Sequence, residues 1–311
     1  MTLVSEDFTR LADPFRRELL AHCYRMLGSV HDAEDLVQET YLRAWKAYGS
    51  FEGRSSVRTW LYRIATNVCL TALDSRTRRP LPAGIGASYG PDDQLTEDHE
   101  VPWLEPIPTD PADVVTARQS TRLAFVAALQ LLPPRQRAVL ILRDVLKWSA
   151  TETAEQLEMT VAAVNSALQR ARTQVGSLSE DDVVEPSSAE ERAVLDRWVT
   201  AFEAKDIPAI VSMFTKDVVW EMPPYPGWYL GPEMVAWHLT NQCPAVPGGS
   251  RMLAVTANGQ PAYGLYLRAP DGEFRPFNLQ VLTLTKDGIS HVASFFDLRL
   301  FARFGLPETA R

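Results

Sequence analysis

Asn165, Ser166, Gln169 and Arg170 have the most to offer a ligand. Val164 and Leu168 keep helical spacing through the same stretch, so the four polar side chains share the outward side. A helix that lays such groups in a major groove can pair an amide with adenine, or a guanidinium with guanine or a phosphate. The elements that must hold this helix are well marked. Ser149 and Glu152 form a capping box at the start of a short helix ending near Leu157. Glu158 and Met159 make a turn, and Thr160 caps a last helix over 161–175. Ala154 and Leu157 face Val164 and Leu168 across that turn, the pattern of a helix-turn-helix.

The rest divides into blocks. Residues 10–80 read as helices. Pro14 opens one that stops at Gly28. A second starts near Asp32 and runs through Leu36, Val37, Leu42, Trp45 and Tyr48. A third covers about 57–76, with Trp60, Ile64 and Val68 on an apolar stripe that predicts core packing for Trp60. Residues 81–113 are an acidic, proline-rich linker with little regular structure. It holds one apolar island, Trp103-Leu104, which suggests an exposed partner surface. Residues 114–178 are helical again. Residues 187–311 change texture: helices over 188–204, 207–214 and 232–241, and a strand at 217–222. Asn258-Gly259, Asp271-Gly272 and Asp287-Gly288 separate strands at about 251–257, 261–268, 274–285 and 289–298. Helices on one face of a curved antiparallel sheet make this an α+β domain.

Composition narrows the classes. The 311 residues suggest two or three domains. No apolar run is long enough for a membrane span, and no signal peptide is evident. Cys23, Cys69 and Cys243 are too few and scattered for a disulfide framework or a zinc site, so a reducing cytoplasm fits. The net charge of −8 conceals a pattern. Residues 10–80 and 118–178 each carry +4, whereas 81–117 carry −8 and 179–311 carry −6. Nucleic-acid contact stays open for the two basic blocks. Their weak balance implies poor affinity for DNA unaided.

Four stretches in series resemble sigma-70 family factors of the extracytoplasmic-function (ECF) type: DAEDLVQETYLRAW (32–45), RTWLYRIATN (58–67), LPPRQRAVLILRDV (132–145) and VNSALQRAR (164–172). The resemblance implies that 10–80 is sigma domain 2 and 114–178 sigma domain 4. Asp35, Gln38, Glu39 and Arg43 would then bind the β′ clamp helices of core RNA polymerase, and domain 4 the β flap. Phe51, Arg54, Ser55, Ser56 and Asn67 would read an unstacked base of the −10 promoter element, with Asn67 offering both donor and acceptor to a base edge. Arg76, Arg78 and Arg79 suit backbone phosphates. Thr160, Asn165, Ser166, Gln169 and Arg170 would read the −35 element. Asn165 stands where the family often has Lys or Arg.

The linker and third block resemble the sigma factor G and J subgroup, in which a SnoaL-like cone domain follows domain 4. The expected fold is two all-α sigma domains plus an α+β SnoaL-like domain with a curved antiparallel sheet. Trp220, Tyr225, Trp228, Trp237, His238 and His291 are candidates to line a pocket for an unknown small ligand. Catalysis is disfavoured. His291 and Asp297 share a strand face but lie ~20 Å apart along it, and no carboxylate pair at working distance is visible. Trp103, Leu104 and Glu105 would form a regulatory element, and the cone domain would contact the sigma domains or the linker. The expectation is therefore an alternative sigma factor in the cytoplasm, with no cofactor, metal or membrane contact, binding polymerase and promoter DNA. A stand-alone helix-turn-helix regulator and a DNA-tethered cyclase or isomerase are the rivals.

Overall fold

The computed structural model describes residues 2–74, 78–109, 122–176 and 189–310. They fall into two compact units. One joins the residues up to 79 with 122–176; the other joins 80–109 with 189–310.

The first unit is helical. Helix α1 (Thr2–Ala12) precedes α2 (Arg16–Leu27), α3 (Val30–Ala47) and α4 (Val57–Leu73). Helix α2 stops at Gly28, whose φ of 70° is left-handed. Ser29 and Ser56 cap α3 and α4 by accepting from the amides of Asp32 and Thr59. Leu19, Cys23 and Met26 of α2, Val37 and Ala44 of α3, and Leu61, Ala65 and Cys69 of α4 are buried. Phe8 of α1 adds its ring to those of Tyr41 and Tyr48.

Then follow α5 (Leu123–Gln130), α6 (Pro134–Leu140), α7 (Ala150–Leu157) and α8 (Val161–Val175). Arg137 of α6 is buried and ties them to the first helices. Its guanidinium donates to the carbonyl of Met26, to the Gln130 side chain, and to the carbonyls of Gln130 and Leu132. Burial pulls its pKa down to about 10.

The second unit is α+β. Helices α9 (Ala189–Ala204), α10 (Ile207–Val211) and α11 (Gly231–Asn241) pack on one face of a six-stranded sheet. The strands are β1 (Phe214–Glu221), β2 (Trp228–Leu230), β3 (Ser250–Ala257), β4 (Gln260–Arg268), β5 (Phe274–Thr285) and β6 (Gly288–Phe295), in the order β2-β1-β6-β5-β4-β3. Trp198, Phe202, Ile210, Val235 and Leu239 of the helices meet Val218, Trp220, Tyr263, Leu282 and Val292 of the sheet. A short helix α12 (Arg299–Arg303) places Phe301 with Tyr266 and Phe274 in a second small cluster.

The sheet is mixed rather than antiparallel throughout, because β1 runs parallel to β6. Helix α4, expected over about 57–76, ends at Leu73, and the helix expected over 207–214 ends at Val211, ahead of β1. The linker also departs from expectation. Leu104 and Ile107 are buried, and the Trp103 ring nitrogen donates to the Asp98 carbonyl at 2.8 Å. The apolar island is therefore not an exposed surface.

Candidate nucleic-acid interface

Helix α8 presents its polar face as the periodicity predicts. Val164 and Leu168 are buried, and Thr160, Asn165, Ser166, Gln169 and Arg170 are exposed. Thr160 accepts from the Ala163 amide at 3.1 Å, fixing the helix start. Glu158 makes the turn in a left-handed conformation (φ 53°), and Ser149 and Glu152 complete the capping box. Arg170 donates to Ser166 at 2.7 Å, which holds both side chains on the open face. Val161, 41% exposed at the helix start, adds an apolar group of the kind that meets a thymine methyl. The sequence reading did not single it out.

The second candidate surface starts at α4. Phe51 and Trp60 stack with ring centroids 4.7 Å apart, and both are half-buried. Trp60 is thus not a core residue. It stands in the first turn of α4, where its ring rests on Phe51. Arg54 and Ser56 are exposed, Ser55 is half-buried, and Arg54 pairs at the surface with Glu52. Asn67 is exposed on the same helix, and its side-chain oxygen accepts from Gln156 of α7 at 3.0 Å. Arg78 is exposed. Arg79 is not a free cation: it binds Asp32 at 2.6 Å, both 18% exposed. Arg76 lies outside the described residues.

The third surface is on α3. Asp35, Gln38 and Arg43 are exposed and Glu39 is half-buried, paired with Arg43 at 2.7 Å. Leu42 (54% exposed) and Trp45 (42%) continue the stripe that Asp35 and Gln38 begin. The sequence reading placed these two in the helix's apolar run. Their spacing of 35, 38, 42 and 45 was the signal that they share the outer face. Leu42 and Trp45 thus add an exposed apolar pair to the charged face of α3.

Of the six aromatic and histidine candidates in the α+β unit, Trp220 and His238 meet with ring centroids 6.2 Å apart, whereas His291 lies on the other face of the sheet. Trp220 is buried in the core, and Trp237 packs at its rim. His238 is buried and stacks on Tyr229 at 4.5 Å; its Nδ1 is bonded to Gln242, and burial holds its pKa below the usual imidazole value. Tyr225 donates to Glu97 of the linker at 2.9 Å, and burial first, then that bond, raises its pKa to about 12. Trp228 exchanges backbone hydrogen bonds with the linker. His291 alternates with core-facing Val292 and so lies on the other face of the sheet. There it donates to Glu221 at 2.5 Å. The second Glu221 oxygen accepts from the Ala83 amide at 2.7 Å. This carboxylate–histidine pair spans two strands, so spacing along one strand could not reveal it. Each Glu221 oxygen thus carries one hydrogen bond, one from His291 and one from the linker.

The linker meets the sheet at both edges. Residues Ala87–Tyr89 bond Trp228 of edge strand β2. Ile107 exchanges bonds with Asn258, and Thr109 bonds Thr256 and Gly259, at the end of edge strand β3. Glu105 is half-buried and adds to the field of Asp297 around Arg299.

Two stretches of the chain match known families. Residues 11–79 match Sigma-70 region 2, and residues 122–175 match Sigma-70, region 4. The ECF RNA polymerase sigma factor SigG of Mycobacterium tuberculosis is 54% identical over 97% of this chain and 85% of its own length. The chain belongs to the ECF sigma factors. SigW of Bacillus subtilis, another ECF RNA polymerase sigma factor, is 31% identical over 54% of this chain and 86% of its own. The crystal structure of M. tuberculosis SigJ shares the fold, with a TM-score of 0.65, 23% identity, and coverage of 98% of this chain and all of that one. This sigma factor directs transcription from promoters. It carries two helical sigma regions and an α+β domain. Among the described residues no helix is long and apolar enough to cross a membrane.

Proposed function

We propose that this sigma factor works in the cytoplasm, and that its α+β domain restrains it by holding the linker between the two sigma regions. One observation carries the restraint. The described linker residues, 80–109, belong to the compact unit of the α+β domain, bonded at β2, at Glu221 and at the β3–β4 turn. A linker fastened in this way is not free to lie along polymerase. In the working assignment Asp35, Gln38, Glu39 and Arg43, joined by Leu42 and Trp45, grip the β′ clamp helices, and region 4 meets the β flap. Phe51 and Trp60 offer a stacking platform at the −10 element, Asn67 reads a base edge, and Arg78 holds a phosphate. Asn165, Ser166, Gln169 and Arg170, positioned by Thr160, read the −35 element. The Gln156–Asn67 bond supports a resting state in which the −10 amide is already engaged.

Two full-chain variants test this. Asn258→Gly keeps the left-handed turn (φ 56°) but removes the acceptor for the Ile107 amide. It should bind core polymerase more tightly in a pull-down and raise reporter output at equal protein level. Unchanged or weaker binding sinks the restraint. Gln169→Ala should lower promoter output about tenfold, with core binding intact, since a base pair of contacts is worth ~1–3 kcal/mol. Equal output would remove Gln169 from the reading face.

A further inference from the structure

The aromatic residues of the α+β domain form a ladder whose last rung belongs to the linker. Phe202 stacks on Trp220 with centroids 6.3 Å apart, and Trp220 lies 6.2 Å from His238. His238 stacks on Tyr229 at 4.5 Å, and Tyr229 lies 5.5 Å from Tyr89. The first four come from α9, β1, α11 and β2 of the domain. Tyr89 comes from the linker.

Its ring lies on Gly227. A Cβ at that position would fall 2.2 Å from the ring, so any side chain there would expel it. The fit is mutual, because a Cβ on linker residue Gly86 would fall 1.8 Å from the Pro226 carbonyl oxygen. Main-chain bonds flank the ring: the Tyr89 amide donates to the Trp228 carbonyl at 2.7 Å, and the Trp228 amide to the Ala87 carbonyl at 3.3 Å. Tyr89 packs against the domain's core, as does Leu95 further along the linker. The domain therefore presents a flat notch floored by a glycine and walled by Tyr229.

We infer that this notch is a binding seat for a planar phenol, and that its resident occupant is the chain's own Tyr89. The inference deepens the linker-restraint reading, since the seat is the middle fastening of the linker. It also names the class of molecule that can undo it. Occupancy by Tyr89 and by a free aromatic ligand exclude each other. The tether gives Tyr89 an effective concentration on the order of millimolar, so an effective competitor must bind more tightly than that.

The test uses the full chain and p-cresol, the free equivalent of the tyrosine side chain. Tyr89→Ala empties the seat. It should bind p-cresol saturably, with half-saturation at about 1 mM for so small a ligand, read by saturation-transfer NMR and by a rise in melting temperature. Wild type, with the seat filled, should show neither. The double variant Tyr89→Ala, Gly227→Ala has room for the new Cβ because the ring is gone, so it should fold, give the same circular dichroism spectrum, and bind no p-cresol. Saturation in the double variant equal to that in Tyr89→Ala, or no saturation in a folded Tyr89→Ala, overturns the seat. A core-polymerase pull-down on the same proteins separates the two readings. Polymerase binding without p-cresol binding removes the seat and leaves the sigma assignment standing. Saturable p-cresol binding by Tyr89→Ala with polymerase affinity equal to wild type supports the seat and removes the restraint.

Discussion

The helical unit and the α+β unit put their chemistry on opposite sides of the surface. In the helical unit the candidate readers Asn165, Gln169, Arg170 and Asn67 are exposed, and the buried polar groups, Arg137 and His22 among them, are structural. In the α+β unit Trp220, His238 and Glu221 are buried, and the unit's described contacts with Tyr89, Glu97 and Ile107 come from the linker. The first unit is built to meet large partners that arrive from outside. The second is built around a segment of its own chain. A surface reader can be altered with little cost to folding, whereas the inner rungs of the aromatic ladder, Phe202, Trp220 and Tyr229, are themselves core.

The sharpest way to break that contrast is at Arg137. Its four hydrogen bonds join α6 to the end of α2 and to the α5–α6 turn. Arg137→Met keeps the bulk but leaves those acceptors unpaired in a dry site, at a cost of about 3 kcal/mol. Hydrogen exchange on the full chain should show protection falling in α2, α5 and α6 and holding in β4 and β5. Equal loss in all of them would mean that the two units unfold as one, and the contrast would fail.

A smaller effect follows from His22. Its Nε2 is bonded to Thr66 inside the α2–α4 core, and burial, aided by Arg25, lowers its pKa to about 3. The unfolded chain takes up a proton near the ordinary 6.5. Between those values the unfolded state binds more protons, so stability is full above pH 6.5 and falls with acid by up to ~1.4 kcal/mol per pH unit. His238 in the α+β unit is shifted the same way by burial, but its bond to Gln242 opposes the shift. Protection in α2 and α4 should therefore fall faster than in β5 between pH 6.5 and 5. His22→Gln should flatten the α2–α4 slope. A slope that survives this substitution would assign the acid sensitivity elsewhere.

How much of this was legible in the sequence depended on how local the cause was. The helix-turn-helix was readable because caps, turn and periodicity all lie within about 27 residues. Helical spacing gives direction, not depth: in the stripe of Trp60, Ile64 and Val68 only Val68 is buried, while Ile64 and Trp60 are half-buried. The parallel β1–β6 pairing joins strands some 70 residues apart, and no turn signal marks it. The Glu221–His291 pair was hidden by that same pairing. The linker has little regular structure, as its prolines require, but its amides find partners at the edges of the sheet, and Leu104 of the apolar island is buried rather than exposed.

The smallest expected effect is also the one that best isolates the outward-facing character of the helical unit. Glu39 and Arg43 pair across one turn of α3 at 2.7 Å, with side chains 42% and 51% exposed. Such a pair is worth less than about 0.5 kcal/mol to the fold, and salt weakens it further. Arg43→Ala should leave the melting temperature within about a degree of wild type. If α3 is the polymerase-facing element, the same variant should lose several-fold in affinity for core polymerase, most clearly at low ionic strength, where long-range charge attraction acts. A fall in melting temperature of several degrees would make the pair structural. Unaltered affinity at low salt would move the contact along the stripe to Leu42 and Trp45, where the Leu42→Ala, Trp45→Ala variant would then have to carry the loss.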